Sequence, residues 1–179
     1  MAFEPQVLST EVLARSHVFD VERIELEEGG RAFTREVVRH RGAVAVLAFD
    51  GRSVVLVRQW RAPLGRAILE IPAGTCDVEG EDLEATAARE LEEEAGLRAG
   101  TLERLCELWN SPGWSDQHTV VFLATELTDV PARPCGPEEE AIEVLRVALD
   151  DALAMVTAPG ACDASTAIAV SVLAARLAA

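Results

Sequence analysis

The sequence contains no lysine and no tyrosine, and all 16 of its basic residues are arginine. Without lysine there can be no Schiff base, no pyridoxal phosphate linkage and no P-loop of the usual kind. Without tyrosine no phenol can act as acid or nucleophile. Bases are scarce against 31 acids, leaving a formal net charge of −15. An acidic surface of that kind excludes non-specific binding to nucleic acid or to anionic membranes, both of which require a basic face. The four cysteines, Cys76, Cys106, Cys135 and Cys162, show no C-x-x-C spacing, which argues against a zinc site or a disulfide framework. The most apolar stretch, residues 161–179, is mostly alanine and carries Asp163, Ser165, Thr166, Ser171 and Arg176. A membrane span needs about 20 strongly apolar residues, so this stretch reads as a buried or dimer-facing helix. The first residues, M-A-F-E-P-Q, lack the charged and apolar regions of a signal peptide. A soluble cytoplasmic protein with free thiols is expected.

The chain has 179 residues, 49% of them hydrophobic and 26% charged, values of a single globular domain. Its charge is unevenly spread. Residues 51–73 carry Arg52, Arg58, Arg61 and Arg66 against Glu70 alone, a net +3. Residues 74–97 follow directly with nine acids and only Arg89, a net −8. A run of charge is ordinarily a solvated face, so the positions of these acids matter more than their number.

Alternation of apolar and polar residues predicts strands over 18–27 and 33–39, joined by a turn at Glu28, Gly29 and Gly30. Further strands are expected at 43–49, 53–58 and 67–71, then at 102–108, 119–127 and 141–147. Residues 81–95 have no glycine or proline and are rich in alanine, leucine and glutamate, which predicts a helix stopped by Gly96. Shorter helices are expected over 150–155 and 165–178. Strands, a helix, more strands and terminal helices make an α/β sandwich.

On a wheel, Ala87, Ala88, Leu91 and Ala95 share one sector and form a buried stripe. Glu90, Glu93 and Glu94 share another, at three- and four-residue spacings where carboxylates repel. A bound divalent cation would offset that repulsion, and carboxylate oxygens suit hard Mg²⁺ or Mn²⁺. Periodicity alone leaves a metal site and a solvated acidic face equally open. Arg89 precedes Glu93 by four residues and can hold it, while Glu92 points away and reads as solvated.

From Gly74 to Leu97 the chain runs G-T-C-D-V-E-G-E-D-L-E-A-T-A-A-R-E-L-E-E-E-A-G-L. This resembles the Nudix box, G-x5-E-x7-R-E-U-x-E-E-x-G-U, where U is aliphatic. Every specified position from Glu81 onward agrees. Six residues rather than five separate Gly74 from Glu81, a one-residue insertion ahead of the helix. The segments V-R-Q-W-R (57–61), L-E-I-P-A-G-T (69–75) and S-P-G-W-S-D (111–116) are similar to the ADP-ribose pyrophosphatase branch of that family. The resemblance implies a Nudix fold: a mixed β-sheet sandwiched between helices over residues 41–179, with a small N-terminal antiparallel sheet over residues 1–40. In that branch the small sheet exchanges strands in a homodimer.

Residue roles follow by position. The resemblance implies Mg²⁺ or Mn²⁺ held by Glu90 and Glu94, by Glu93 as further ligand or candidate base, and by the backbone carbonyl of Ala73. Glu81 would support the cluster, and Arg89 would orient the glutamates. Arg61, Arg58 and Glu70 would serve substrate binding, as would Ser111, Gly113 and Trp114 in a loop, Ser111–Gln117, that closes over the pyrophosphate and the second ribose. The substrate implied is a nucleoside diphosphate sugar, with ADP-ribose cleaved to AMP and ribose 5-phosphate. One position departs from the branch. Gln117 stands where a glutamate is usual, and an amide cannot accept a proton from attacking water. Glu93, or an acid among Glu138–Glu140, could take that role. Two rivals remain: a Nudix hydrolase for another nucleotide sugar of the GDP-mannose or UDP-glucose type, and a weakly catalytic ADP-ribose sensor.

Overall fold

The computed structural model describes residues 3–179. The chain divides into two compact units. One runs up to Gly42 and adds Trp109–His118; the other comprises Ala43–Leu108 and Thr119–Ala179.

The larger unit is built on a mixed sheet. Strand β4 (Ala43–Phe49) is the uninterrupted apolar run expected of a strand covered on both faces. Strand β5 (Ser53–Arg61) pairs antiparallel with β6 (Arg66–Glu70) and with β12 (Glu143–Ala148). Strand β10 (His118–Thr125) runs parallel to β4, from Thr119 beside Ala43 to Ala124 beside Ala48. The order is β12-β5-β4-β10-β9, with β9 at Thr101–Trp109 and the short β7 (Ala73–Thr75) added beside β4. Alternation of side chains along β4 divides the core in two. Val44, Val46 and Ala48 pack with Val120, Phe122, Ala87 and Leu91 on the face of helix α1 (Leu83–Ala95). Ala45, Leu47 and Phe49 pack on the other face with α3 (Leu149–Val156) and α4 (Ala164–Ala178), through Val156, Val170 and Leu173. The mixed sheet between helices is therefore the expected fold class.

Differences from the sequence reading have local causes. Residues 81–95 begin their helix at Leu83, because Asp82 caps it by accepting the Ala85 N–H at 2.7 Å. The strand predicted at 141–147 starts at Glu143, since Pro137–Glu140 forms a short helix, α2, with proline in its first turn. Leu97–Arg98 (β8) pairs with Thr128–Asp129 (β11), two strands too short to register as a pattern. None of the helices among the described residues is long and apolar enough to cross a membrane.

The smaller unit is an antiparallel sheet of β1 (Gln6–Arg15), β2 (Phe19–Glu28) and β3 (Arg31–His40). Gly29 and Gly30 both take positive φ, 58° and 79°, as a two-residue hairpin turn demands. Strand β1 has no counterpart in the sequence reading. Its pairing with β2 slips between Val7 and Ser9 and again between Val12 and Ala14. Each slip shifts the period-two pattern that would have marked the strand. Residues Trp109–His118 join this unit through β3: the Val38 N–H donates to the Trp114 carbonyl at 2.8 Å, and the Asp116 N–H donates to the Val38 carbonyl at 3.2 Å.

Candidate active site

Helix α1 carries the site. Its buried face is Thr86, Ala87, Glu90, Leu91 and Glu94, a three–four repeat in which acids alternate with apolar residues. The stripe expected from the wheel differs: Ala88 and Ala95 are only half-buried, and Glu90 and Glu94 are each just 7% exposed. Two carboxylates thus lie on the side that faces the sheet. Gly74 makes room for one of them. A Cβ built there would stand 2.0 Å from Glu90 Oε1 and 2.1 Å from its Cδ, so any larger residue would force that glutamate to turn.

Arg89 ties the acids together. Its Nη1 donates to Glu90 Oε1 at 2.7 Å and to Glu93 Oε2 at 2.9 Å. Its Nε and Nη2 reach Glu81 at 3.3 and 3.2 Å. These acids, Glu81 first, raise the guanidinium pKa further. Glu81 in turn is held below the usual carboxylate range, chiefly by Arg89.

Glu94 accepts the Ala73 N–H at 2.9 Å. Burial pushes its carboxyl up to about 8, with Glu90 and Glu139 adding to the shift and the Ala73 bond and Arg61 opposing it. Burial likewise raises Glu90 against the opposing pull of Arg89, with Glu93 and Glu139 contributing. Glu139 therefore lies within electrostatic reach of both glutamates. It is half-buried, unlike its exposed neighbours Glu138 and Glu140, and accepts the Cys135 N–H at 2.5 Å. Glu92 is not simply solvated: it takes Arg98 Nε at 2.7 Å.

The strand end beside β7 is equally fixed. Arg61 forks onto the buried Glu70, with Nε at 3.0 and 2.9 Å from its two oxygens and Nη2 at 2.7 Å. Burial pushes the Glu70 carboxyl up despite that guanidinium. The Ile71 N–H donates to the hydroxyl of Thr166, whose helix α4 is capped by Asp163. Thr166 is a contributor that motif spacing did not reveal. Its only trace in the sequence is the capping run D-A-S-T. Arg58 stands apart, exposed and 3.5 Å from Glu143.

In the smaller unit the Ser111–Gln117 loop is turned by bonds from the Trp114 and Ser115 N–H groups to the Ser111 carbonyl at 3.1 and 2.9 Å. Asp116 accepts the His40 N–H at 2.8 Å and Arg39 Nη1 at 3.1 Å. Despite partial burial, these bonds hold its carboxyl below the usual range. Gln117 donates its backbone N–H to Ser115 Oγ at 3.1 Å. Trp114 is 56% exposed.

Among the described residues no three His, Cys, Asp or Glu side chains converge on one point at ligating distance, because Glu90 and Glu93 turn to Arg89 and Glu94 to Ala73. The donor set nonetheless suits a hard divalent cation. It offers oxygen only, and it contains two nine-tenths-buried carboxylates, Glu90 and Glu94, the first of them paired with Arg89.

A NUDIX domain model matches residues 38–162. The chain is 42% identical over 175 residues to an ADP-ribose pyrophosphatase of Bacillus subtilis, covering 96% of this chain and 94% of that protein. It is 44% identical over 138 residues to an ADP-ribose pyrophosphatase of Mycobacterium tuberculosis, covering 76% and 66%. A crystal structure of an ADP compounds hydrolase superposes with a TM-score of 0.86 at 24% identity, over 99% of this chain and 97% of that one. With a glutamate-lined helix clamped by its own arginine, and a domain match over most of its length, the chain belongs to the Nudix hydrolase family.

Proposed function

We propose that the protein hydrolyses the pyrophosphate of a nucleoside diphosphate sugar, ADP-ribose in the first instance, to AMP and ribose 5-phosphate. The observation that carries the chemistry is the pair Glu90 and Glu94, buried on one helix face, with Glu90 linked through Arg89 to Glu93 and Glu81 and Glu94 held by the Ala73 N–H. The two pyrophosphatases of B. subtilis and M. tuberculosis support the choice of substrate.

Nudix hydrolases generally use divalent metal ions; here Mg²⁺ or Mn²⁺ is the proposed cofactor, with Glu90, Glu93, Glu94 and the Ala73 carbonyl as its ligands. Once bound, it would supply charge neutralisation for the phosphates and acidify the attacking water. The protein's own residues do the rest. Water adds to one phosphorus, the bridging P–O bond breaks, and the leaving phosphate keeps that oxygen. Glu93, or Glu139 of α2, accepts the proton of the water. Arg61, oriented by Glu70 through Nε and Nη2, would donate to the phosphates from the side of its guanidinium that Glu70 does not occupy. Arg58 is a weaker candidate for the same role. Substrate-binding roles for Ser111, Gly113 and Trp114 rest on the loop motif alone. Gln117 favours the second reading, a weakly catalytic ADP-ribose sensor.

The exposed apolar residues of β1, Val7, Leu8, Val12 and Leu13, support homodimer formation through the N-terminal sheet. The four free cysteines support a cytoplasmic location.

The test is phosphate-monoester release from ADP-ribose, GDP-mannose and UDP-glucose with Mg²⁺, with Mn²⁺ and with chelator. Metal-dependent release, fastest from ADP-ribose, is expected. No release from any of the three would refute the enzymatic reading.

A further inference from the structure

Thr86 occupies a position that the box pattern leaves unspecified, flanked by Ala85, Ala87 and Ala88. Alanine there would serve the helix better, because a β-branched side chain loses rotamer freedom against the preceding turn. Thr86 is also buried, 1% exposed, so its hydroxyl requires a partner. A helical threonine commonly turns that hydroxyl to the carbonyl four residues back. Here the Asp82 carbonyl lies at 3.0 Å, but Glu81 Oε2 is nearer, at 2.9 Å. The carboxylate is within reach because Asp82 caps the helix and leaves Glu81 just outside it.

We propose that Thr86 is a positioning residue of the active site, fixing the Glu81 carboxylate so that Arg89 is held across Glu90 and Glu93. The distances support this order of influence. Arg89 grips Glu90 and Glu93 at 2.7 and 2.9 Å but touches Glu81 only at 3.2 and 3.3 Å. The threonine hydroxyl is thus the shortest bond that Glu81 receives. Glu81 follows the turn at Val78–Gly80 and has no helical backbone of its own to hold it. Without the hydroxyl, Glu81 can rotate away and the guanidinium loses its anchor at the Nε and Nη2 side. The glutamates that Arg89 spaces apart then lose their fixed separation, and with it their readiness for a divalent cation. This rests on the proposed metal-dependent reading of the box.

The experiment compares wild type with Thr86→Val, an isostere without the hydroxyl, and Thr86→Ser, which keeps it. Each is also combined with Glu81→Ala. Mn²⁺ affinity is measured by calorimetry on the substrate-free protein, alongside kcat and KM for ADP-ribose and a thermal melt. Thr86→Val is expected to weaken Mn²⁺ binding and lower kcat by about 10-fold each, the scale on which outer-shell partners of a metal site act. KM for ADP-ribose should stay within about twofold. Serine should recover most of both losses. On the Glu81→Ala background the valine should add nothing, since the partner is gone. Wild-type Mn²⁺ affinity in Thr86→Val, equal losses in valine and serine, or losses that multiply with Glu81→Ala would each overturn the proposal. If wild type binds Mn²⁺ but hydrolyses no nucleotide sugar, the proposed function fails, and the Mn²⁺ titrations still decide the role of Thr86.

Discussion

Replacing Glu94 with glutamine is expected to make the metal-free protein more stable while removing its activity. The carboxyl is buried and its pKa stands near 8, against an ordinary 4.5. The folded state therefore keeps a proton that the unfolded chain releases. Below pH 4.5 both states are protonated and the group has no effect. Between 4.5 and 8 the unfolded state gains an advantage of about 1.4 kcal/mol per pH unit. Above 8 the folded state ionises as well and the slope ends. At pH 7 the accumulated cost is about 3 kcal/mol, or roughly 6–12 °C in Tm for a chain of this size. Glutamine can still accept the Ala73 N–H and carries no charge, so its curve should lack this component. The assay is a set of thermal melts of chelated wild type and Glu94→Gln from pH 5 to 9. The two curves should meet near pH 5 and diverge upward in pH. Added Mg²⁺ or Mn²⁺ should close the gap by stabilising wild type alone. Parallel curves would refute the reasoning, because they would mean that the carboxylate is not penalised by its surroundings.

Three further substitutions probe the same framework. Gly74→Ala places a Cβ only 2.0 Å from Glu90 Oε1, so Glu90 must turn away. A loss of roughly 100-fold in kcat is expected, the scale of an ångström-sized misplacement, with an unchanged far-UV spectrum. Arg61→Ala strands the buried Glu70 carboxyl without its fork. Urea unfolding should show a loss of roughly 3–5 kcal/mol, as when one partner of a buried pair is removed. Arg61→Lys should recover part of it. Glu139→Gln should lower kcat by about 100-fold if that acid accepts the water's proton, whereas Gln117→Glu should leave kcat within about threefold. A large gain in the Gln117 variant with no loss in the Glu139 variant would place the missing base in the Ser111–Gln117 loop instead.

The sequence exposed the parts of this molecule that repeat with a period. Alternation marked β2 and β3, and the apolar run marked β4, because each buries a regular face. Helix α1 was legible through its composition and its terminal glycine. What escaped was set by geometry between distant segments. Strand β1 lost its alternation to two register slips, and β8 and β11 are two residues long. The box motif puts Glu90, Glu93 and Glu94 on helix α1, where they lie, but the wheel assigned the acids and the apolar stripe to separate faces. Glu90 and Glu94 share the face of Ala87 and Leu91, an arrangement that simple amphipathic logic excludes. The half-burial of Glu139 between two exposed acids depends on how α2 is seated, and a run of three glutamates carries no sign of which one turns inward.

The extra residue between Gly74 and Glu81 has a practical consequence. The working parts on either side are anchored independently: Gly74 by its fit against Glu90, and the helix start by the Asp82 cap. The intervening Cys76–Gly80 segment bulges to solvent at Val78, Glu79 and Gly80. Lengthening such a loop costs little, about 0.6 kcal/mol for each doubling. It is therefore a natural insertion point for a short epitope or fluorophore tag that reports on the neighbouring catalytic helix. For the same reason, a pattern search with fixed spacing between the glycine and the first glutamate would pass over this protein, although nothing downstream of Glu81 has moved.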